Sequence, residues 1–230
     1  CTLAWIRTEL RVPEPMVDMR MMTQPTVLFT NLTAVFTGFA MFGAFVLLPS
    51  LMQRHPTAQI DYGFSLSPTA TGLYLLPGGL LGFVAGPVAG RLGARYGSRM
   101  PLVLGLLLTA AGIALLALVH DHPGEISAWM AFIGIGVPFA FAAMAKLIVD
   151  AVRPTETGVA TGMNTVLRTV GSTIGGQVGA AIISADTISG THVPAESAFV
   201  AAFWVSAVIA LIGAGLARFI PDRAPVTVAA

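Results

Sequence analysis

The stretch TATGLYLLPGGLLGFVAGPVAG (69–90), which runs directly into RLGARYGSR (91–99), decides the fold of this chain. Its first part carries no charged side chain over the length of about 20 residues that an α-helix needs to cross a hydrocarbon core of roughly 30 Å. Its second part places Arg91, Arg95 and Arg99 at four-residue intervals, with no acidic residue among them. An apolar helix that ends in a short basic turn is typical of a chain embedded in a bilayer.

The composition of the whole chain also indicates a membrane protein. Of the 230 residues, 55% are hydrophobic and only 10% are charged, whereas soluble domains carry about a quarter charged residues. A net charge of +1 gives no basic field for nucleic acid, so we expect no nucleic-acid partner. The single cysteine, Cys1, excludes an internal disulfide framework and a CxxC metal site, and His120 with His122 are too few to hold zinc. We therefore predict neither a metal nor a cofactor.

Six apolar segments are long enough to cross a bilayer, and short polar breaks separate them. We predict an all-α membrane protein with transmembrane helices at about 26–51, 69–90, 100–119, 127–149, 157–183 and 197–218. The chain begins without methionine, and its first residues, CTLAWI, read as the tail of an apolar helix. We therefore interpret it as a fragment, with the end of a preceding helix and a linker in 1–25 and a cytoplasmic tail in 219–230.

The basic residues lie almost entirely on one side of the predicted bilayer. Arg54 is on the other side, together with all four histidines. Because basic loops stay in the cytoplasm, we predict that both ends of the chain are cytoplasmic. We expect the arginines of the 91–99 turn to contact anionic lipid headgroups. The alternative is that they only determine this topology. The residues on the basic side are Arg7, Arg11, Arg20, Arg91, Arg95, Arg99, Lys146, Arg153, Arg218 and Arg223.

Two predicted helices carry small residues at four-residue spacing, which lets helix backbones approach closely in lipid. The third and sixth helices are bulkier and have few polar residues, so we expect them at the lipid-facing rim. The small residues are Gly78, Gly82, Gly86 and Gly90 in the second helix and Gly171, Gly175 and Gly179 in the fifth.

Arg168 is the one basic residue near the middle of a predicted helix, where an isolated arginine costs roughly 2.5–3.5 kcal/mol. Thr161, Thr165 and Ser172 share one helix face with it, and Asn164 flanks this polar stripe. Such a stripe predicts the lining of a watery cavity. The alternative is that the helix extends past the membrane and the Arg168 side chain reaches back to the headgroups.

The first and fourth predicted helices add weaker candidates. Threonines 26, 30, 33 and 37 share one face of the first helix with Asn31 beside them, and Phe139 and Phe141 follow Pro138 in the fourth. Bonding of the threonines to their own backbone and simple packing of the aromatic rings are the alternatives. The predicted substrate pathway consists of Thr30, Asn31, Thr33, Thr37, Phe139, Asn164, Thr165, Arg168 and Ser172.

The sequence offers no catalytic constellation. All eleven acidic residues fall in predicted loops or at helix ends, so the chain cannot itself supply the carboxylate within the membrane that would mark a pump or antiporter. There is no GxxxxGK[ST], no HExxH, and no Ser/His/Asp set on one membrane face. We therefore predict that the chain is not an enzyme.

Three stretches carry a resemblance to a known family: LSPTATGLYLLPGGLLGFVAGPVAGRLGARYGSR (66–99), GVATGMNTVLRTVGSTIGGQVGAAI (158–182) and ELRVPEPMVDMRMM (9–22). Together they resemble the carboxy-terminal half of a major facilitator superfamily transporter, of the fourteen-helix bacterial drug:proton antiporter type. Family loops often carry an acidic residue at the position of Ala94, which is missing here. The predicted cytoplasmic loop motif comprises Gly86, Gly90, Arg91, Arg95, Gly97 and Arg99.

The resemblance implies a six-helix half built as a 3+3 inverted repeat, with the second and fifth helices facing the other half. It implies that the first and fourth helices line a central cavity and that the third and sixth are peripheral. The implied function is proton-coupled efflux of a drug-like or amphipathic small molecule by alternating access. The other implied partners are protons and the lipid bilayer, and we expect the coupling carboxylates in the missing amino-terminal half. The alternative function is a non-transporting membrane scaffold or anchor.

Overall fold

Six long helices make up the structure, a computed structural model that describes residues 19–57, 60, 62–188 and 193–221. All six are long and apolar enough to cross a membrane, so the prediction of a six-helix membrane protein is confirmed. The predicted helix end before residue 19 and the tail after residue 221 lie outside the described residues. The helices are α1 Pro25–Met52, α2 Pro68–Tyr96, α3 Arg99–Leu118, α4 Pro123–Val149, α5 Thr157–Ala185 and α6 Glu196–Ala217.

Two irregular features accompany α1. A single helical turn, Met19–Met22, precedes it. Within α1, the residues Gly43–Leu47 form a π-helical turn before the last helical segment, Leu48–Met52.

The turn between α2 and α3 is shorter than the sequence predicts. The helix α2 continues past Gly90 to Tyr96, so Arg91 and Arg95 belong to the helix and the turn consists of Gly97 and Ser98 alone. The segment after Gly90 holds mainly good helix formers and no proline, so nothing stops the helix there. It ends at Gly97, whose φ of +85° lies in the left-handed region that glycine adopts without strain. Most residues of the predicted loop motif therefore belong to the last turns of α2.

The helices pair in a pattern that repeats between the first three and the last three. The helix α1 packs on α5 and α6, α2 packs on α4, and α3 packs on α4 and α6. If α1 is exchanged with α4, α2 with α5, and α3 with α6, each of these pairs maps onto another pair or onto itself. This pairing agrees with the 3+3 repeat that the resemblance implies.

The core lies among α1, α3, α4 and α6. Of their apolar windows, 47%, 56%, 50% and 44% are buried, compared with 17% in each of α2 and α5. Phe199 and Phe203 of α6 and Leu106 and Ile113 of α3 are fully buried. The opposite faces of both helices are exposed, with Trp204 and Leu107 among their residues. The expectation that α3 and α6 form the rim is therefore right for one face of each helix only.

Glycines bring α2 against α4 and α5 against α1. A Cβ atom added at Gly78 would lie 2.5 Å from the carbonyl oxygen of Met130, and one at Gly175 would lie 2.7 Å from that of Phe39. Gly171 is packed as tightly, against the carbonyl oxygen of Val35. Because no side chain fits in these gaps, the backbones can approach closely enough for van der Waals packing to hold the pairs together.

Five of the seven predicted packing glycines contact a neighbouring helix or are buried, and two face open space. Gly82 contacts α4 and Gly179 is buried, but a Cβ at Gly86 or Gly90 would meet open space. An α-helix turns about 100° per residue, so a strict four-residue spacing drifts by about 40° at each step. The buried face of α2 follows the true helical period instead, through Gly78, Ala85, Ala89 and Gly93.

Candidate functional site

The connectivity places the charged residues of the described chain, apart from Arg168, at the two ends of the helix bundle. One, the arginine-rich end, holds the start of α1, the α2–α3 turn, the α4–α5 connection and the end of α6. The other, the histidine-rich end, holds Arg54, His55, His120 and His122. The described basic residues at the arginine-rich end are Arg20, Arg91, Arg95, Arg99, Lys146, Arg153 and Arg218.

Contacts within each end hold the connecting segments together. At the histidine-rich end, the Tyr62 hydroxyl donates to the Pro194 carbonyl at 2.5 Å, and His120 Nε2 lies 3.0 Å from Glu196 Oε1. At the arginine-rich end, Lys146 Nζ lies 2.8 Å from Asp150 Oδ2. Arg91 and Arg95 are exposed and form no ion pair with the described residues, which leaves their charges available for lipid headgroups.

Arg168 of α5 lies against the ring of Phe141 of α4. The guanidinium carbon is 4.2 Å from the centre of the ring, and the Arg168 side chain is half-buried. Arg168 is three turns into α5, roughly 16 Å from Thr157 at about 1.5 Å per residue. Phe141 lies roughly 12 Å from the end of α4 at Val149. The two match in depth because helical side chains lean toward the N-terminus.

This contact bears on the two interpretations of Arg168. The helix α5 is roughly 43 Å long, about 13 Å longer than a hydrocarbon core of roughly 30 Å. If the excess is shared between the two ends, Phe141 and the guanidinium both lie inside the hydrocarbon thickness. A cation–π contact contributes about 0.5–2 kcal/mol, which offsets only part of the roughly 2.5–3.5 kcal/mol that the charge costs there.

Asn164 of α5 and Asn31 of α1 form a hydrogen bond between the two helices. Asn164 Nδ2 donates to Asn31 Oδ1 at 3.0 Å, and the two residues are 5% and 3% exposed. Asn31 Nδ2 points at the sulfur of Met22 at 3.8 Å. The structure thus joins two residues of the predicted pathway as a buried link, one turn from Arg168.

The threonine face of α1 is buried inside the bundle. The Thr30 hydroxyl donates to the carbonyl oxygen of Thr26 at 2.6 Å, and the Thr37 hydroxyl donates to that of Thr33 at 2.8 Å. The Thr33 hydroxyl is buried and has no hydrogen-bond partner among the described residues. These predicted pathway threonines therefore do not line an open surface in the structure. The sequence shows that they share a face, but only the packing shows that this face is covered.

The aromatic ring beside Arg168 is that of Phe141, whereas the sequence predicts Phe139 as the aromatic residue of the pathway. Phe139 is 8% exposed and packs against Ala85 and Ala89 of α2. Residues two apart on a helix point roughly 200° away from each other, so only one of the two phenylalanines can face α5. The structure assigns Phe139 to packing.

An exposed polar stripe runs along α5 next to Arg168. Thr165, Thr169 and Thr173 are exposed, and their hydroxyls donate to the carbonyls four residues earlier at 3.1, 3.0 and 2.9 Å. Ser172 is half-buried near Gly38 of α1. Thr169 and Thr173 were not predicted, although their four-residue spacing from Thr161 and Thr165 was visible in the sequence.

The described residues contain no group of three or more His, Cys, Asp or Glu side chains placed to hold a metal ion. The site thus consists of a half-buried cation, an aromatic ring, a buried amide pair and an exposed row of threonines. Such a surface can orient a small molecule by charge, stacking and shape.

Comparisons with known proteins give one family and two relatives. The family model described as Major Facilitator Superfamily matches residues 28–230. Two curated relatives are each named "Multidrug resistance protein B homolog", from Mycobacterium tuberculosis strains CDC 1551 / Oshkosh and ATCC 25618 / H37Rv. Each is 28% identical over 155 residues, which is 66% of this chain and 26% of the relative. The matched part of the chain therefore spans about a quarter of the length of these relatives.

Proposed function

Because this chain belongs to the Major Facilitator Superfamily, we propose that it forms one six-helix half of a secondary transporter that exports a drug-like or amphipathic small molecule in exchange for protons. The match over residues 28–230 confirms the resemblance to the major facilitator superfamily and includes the stretches 66–99 and 158–182. The relatives named for multidrug resistance support a drug-like substrate. In this proposal the chain carries out no covalent chemistry.

The observation that carries the proposal is the polar surface of α5 at membrane depth. Arg168 and the threonines 165, 169 and 173 lie on a side of the bundle that the six helices leave uncovered. A charge and a row of polar groups facing lipid would be costly, whereas the same groups facing a water-filled path between two halves would remain hydrated. We propose Thr165, Arg168 and Ser172 as pathway residues on this helix, with Phe141 beside them, and the buried Asn164 as the residue that holds α5 against α1.

The sparse burial of α2 and α5 supports the presence of a second half. Both helices use glycines to pack on α4 and α1, yet only 17% of the apolar window of each is buried. Exposed apolar residues such as Phe83 and Val84 of α2 and Val170 and Ile174 of α5 leave large surfaces uncovered. In the proposed transporter the other half covers part of these surfaces, and rocking of the halves gives alternating access.

We propose that the arginine-rich end lies in the cytoplasm, following the positive-inside rule. Both ends of the chain are then cytoplasmic, and the histidine-rich end faces outward. The carboxylates of the described residues lie in connections or in the first turns of α4 and α6, Glu125 and Glu196 among them. We therefore propose that the proton-coupling carboxylates belong to the part of the transporter outside this chain.

The test is transport by the purified full-length transporter in proteoliposomes with an imposed pH gradient. Arg168→Ala is expected to reduce gradient-driven export at least tenfold, because it removes the charge at the centre of the proposed path. Lys146→Ala is the matched control, since it removes a basic residue at a helix end. Unchanged export in Arg168→Ala would support the alternative interpretation, in which the Arg168 side chain reaches the lipid headgroups. If no solute moves with or without a gradient, the non-transporting scaffold becomes the better interpretation.

A further inference from the structure

The charges of the six spans are distributed unevenly in depth. Within the described residues, Arg168 is the only charged side chain more than two turns from a helix end. No carboxylate of the described residues lies within ion-pair distance of it, whereas Lys146 near the end of α4 pairs with Asp150. At membrane depth this half of the protein therefore presents one positive charge without a counter-charge.

The contact with Phe141 leaves the hydrogen-bonding groups of Arg168 unused. The guanidinium lies with its carbon over the Phe141 ring, 4.2 Å from the ring centre, which is a cation–π distance. Its five N–H donors lie in the guanidinium plane, and the described chain offers them no acceptor within hydrogen-bond distance. A planar fork of donors matches a carboxylate, a sulfonate or a similar anionic group.

The ring of Phe141 is the apolar surface that lies next to the guanidinium. Val166 and Val170, which are 53% and 45% exposed, lie two residues from Arg168 and therefore point to the other side of α5. The amides of Asn164 and Asn31 are engaged with each other and do not compete for the anion. A positive charge and an aromatic ring thus occur together, with the exposed Thr165 one turn away on α5.

We propose that Arg168, positioned by Phe141, binds the anionic group of the transported compound, and that the transporter selects acidic amphipathic molecules over lipophilic cations. This inference rests on the proposed transport function. The same donor fork could instead meet a carboxylate from the rest of the transporter, in which case the charge of the substrate would not matter at this residue.

The experiment uses two probes that share one apolar body and differ in their fixed charge, pyrenebutanesulfonate and pyrenebutyltrimethylammonium. Binding to the purified full-length transporter in detergent is measured by pyrene fluorescence, and export is measured in proteoliposomes with a pH gradient. We expect the sulfonate to bind at least tenfold more tightly than the ammonium and to be exported at least tenfold faster.

Variants test whether Arg168 causes this preference. Arg168→Gln is expected to weaken sulfonate binding at least tenfold and to leave ammonium binding equal or stronger, and Arg168→Lys to recover part of the loss. Phe141→Leu is expected to weaken sulfonate binding about threefold. Phe132→Leu, which alters an exposed ring of the same helix, and Lys146→Gln are matched controls that should change neither probe.

The outcomes separate this inference from the proposed function. Sulfonate binding that depends on Arg168, without gradient-driven export of either probe, would support the anion site and count against proton-coupled efflux. Export of both probes with equal dependence on Arg168 would overturn the substrate preference and identify a protein carboxylate as the partner. Equal binding of both probes to the wild-type protein and to Arg168→Gln would also overturn the anion site.

Discussion

Asn164 and Asn31 form a buried hydrogen bond at 3.0 Å that joins α5 to α1, one helical turn from Arg168. Each residue alone would place an unsatisfied amide between two apolar helices. Together they fix the rotation of α5 relative to α1, and α5 carries the proposed pathway residues. This hydrogen bond therefore makes the position of the proposed pathway residues depend on how α5 packs against α1.

Removing either asparagine is expected to destabilise the protein. We expect Asn164→Ala and Asn31→Ala each to lower the free energy of unfolding by about 1–3 kcal/mol, because the remaining amide loses its partner. The double variant should lose less than the sum, with a coupling energy of about 0.6–1.7 kcal/mol, as found for hydrogen bonds between membrane helices. Unfolding of the purified transporter in mixed micelles measures all three variants, and strictly additive losses would contradict the bond.

The glycine contact of α5 with α1 predicts a steric effect. Gly175→Val should lower the free energy of unfolding by about 1–3 kcal/mol, because its Cβ would lie 2.7 Å from the Phe39 carbonyl oxygen. Gly215→Ala on α6 is the control, since a Cβ there meets open space. Thermal unfolding of the two variants gives the comparison, and equal melting temperatures would refute the close packing.

The proposed orientation predicts opposite accessibility for the two ends. Single cysteines introduced as Arg95→Cys and His122→Cys replace exposed residues at the arginine-rich and histidine-rich ends. In a background without other reactive cysteines, a membrane-impermeant maleimide added to intact cells should label His122→Cys and leave Arg95→Cys unlabelled. Permeabilised cells should label both. Labelling of both variants in intact cells would contradict the single span, α3, between these two positions and with it the proposed topology.

The connection between α1 and α2 is anchored by Tyr62. Its hydroxyl donates to the Pro194 carbonyl and its ring centre lies 5.7 Å from that of Phe199. Tyr62→Phe keeps the ring and should cost about 0.5–1.5 kcal/mol of unfolding free energy, the net contribution of one hydrogen bond. Tyr62→Ala should cost about 3–5 kcal/mol, because it also removes a buried aromatic ring. The unfolding free energies of both variants check this order, and equal costs would mean that the ring contact contributes nothing.

The number and order of the spans could be read from the sequence because lipid imposes local requirements. A membrane helix needs a long uninterrupted apolar run, and its flanking charges report its ends, so α3 at Arg99–Leu118 lies within a residue or two of its prediction. The polar stripe with Arg168 was also visible, since an arginine in the middle of such a run is rare. These features depend on residues close together in the chain.

The contacts between helices were decided by the tertiary structure alone. The rotation of each helix determines that Phe141 rather than Phe139 meets Arg168, that the threonines of α1 are covered, and that Gly86 and Gly90 face open space. A helical period shows which residues share a face, but every face of an apolar membrane helix is compatible with either lipid or protein. Which face is buried follows only from the shape of the neighbouring helices, because lipid and protein interiors are equally apolar.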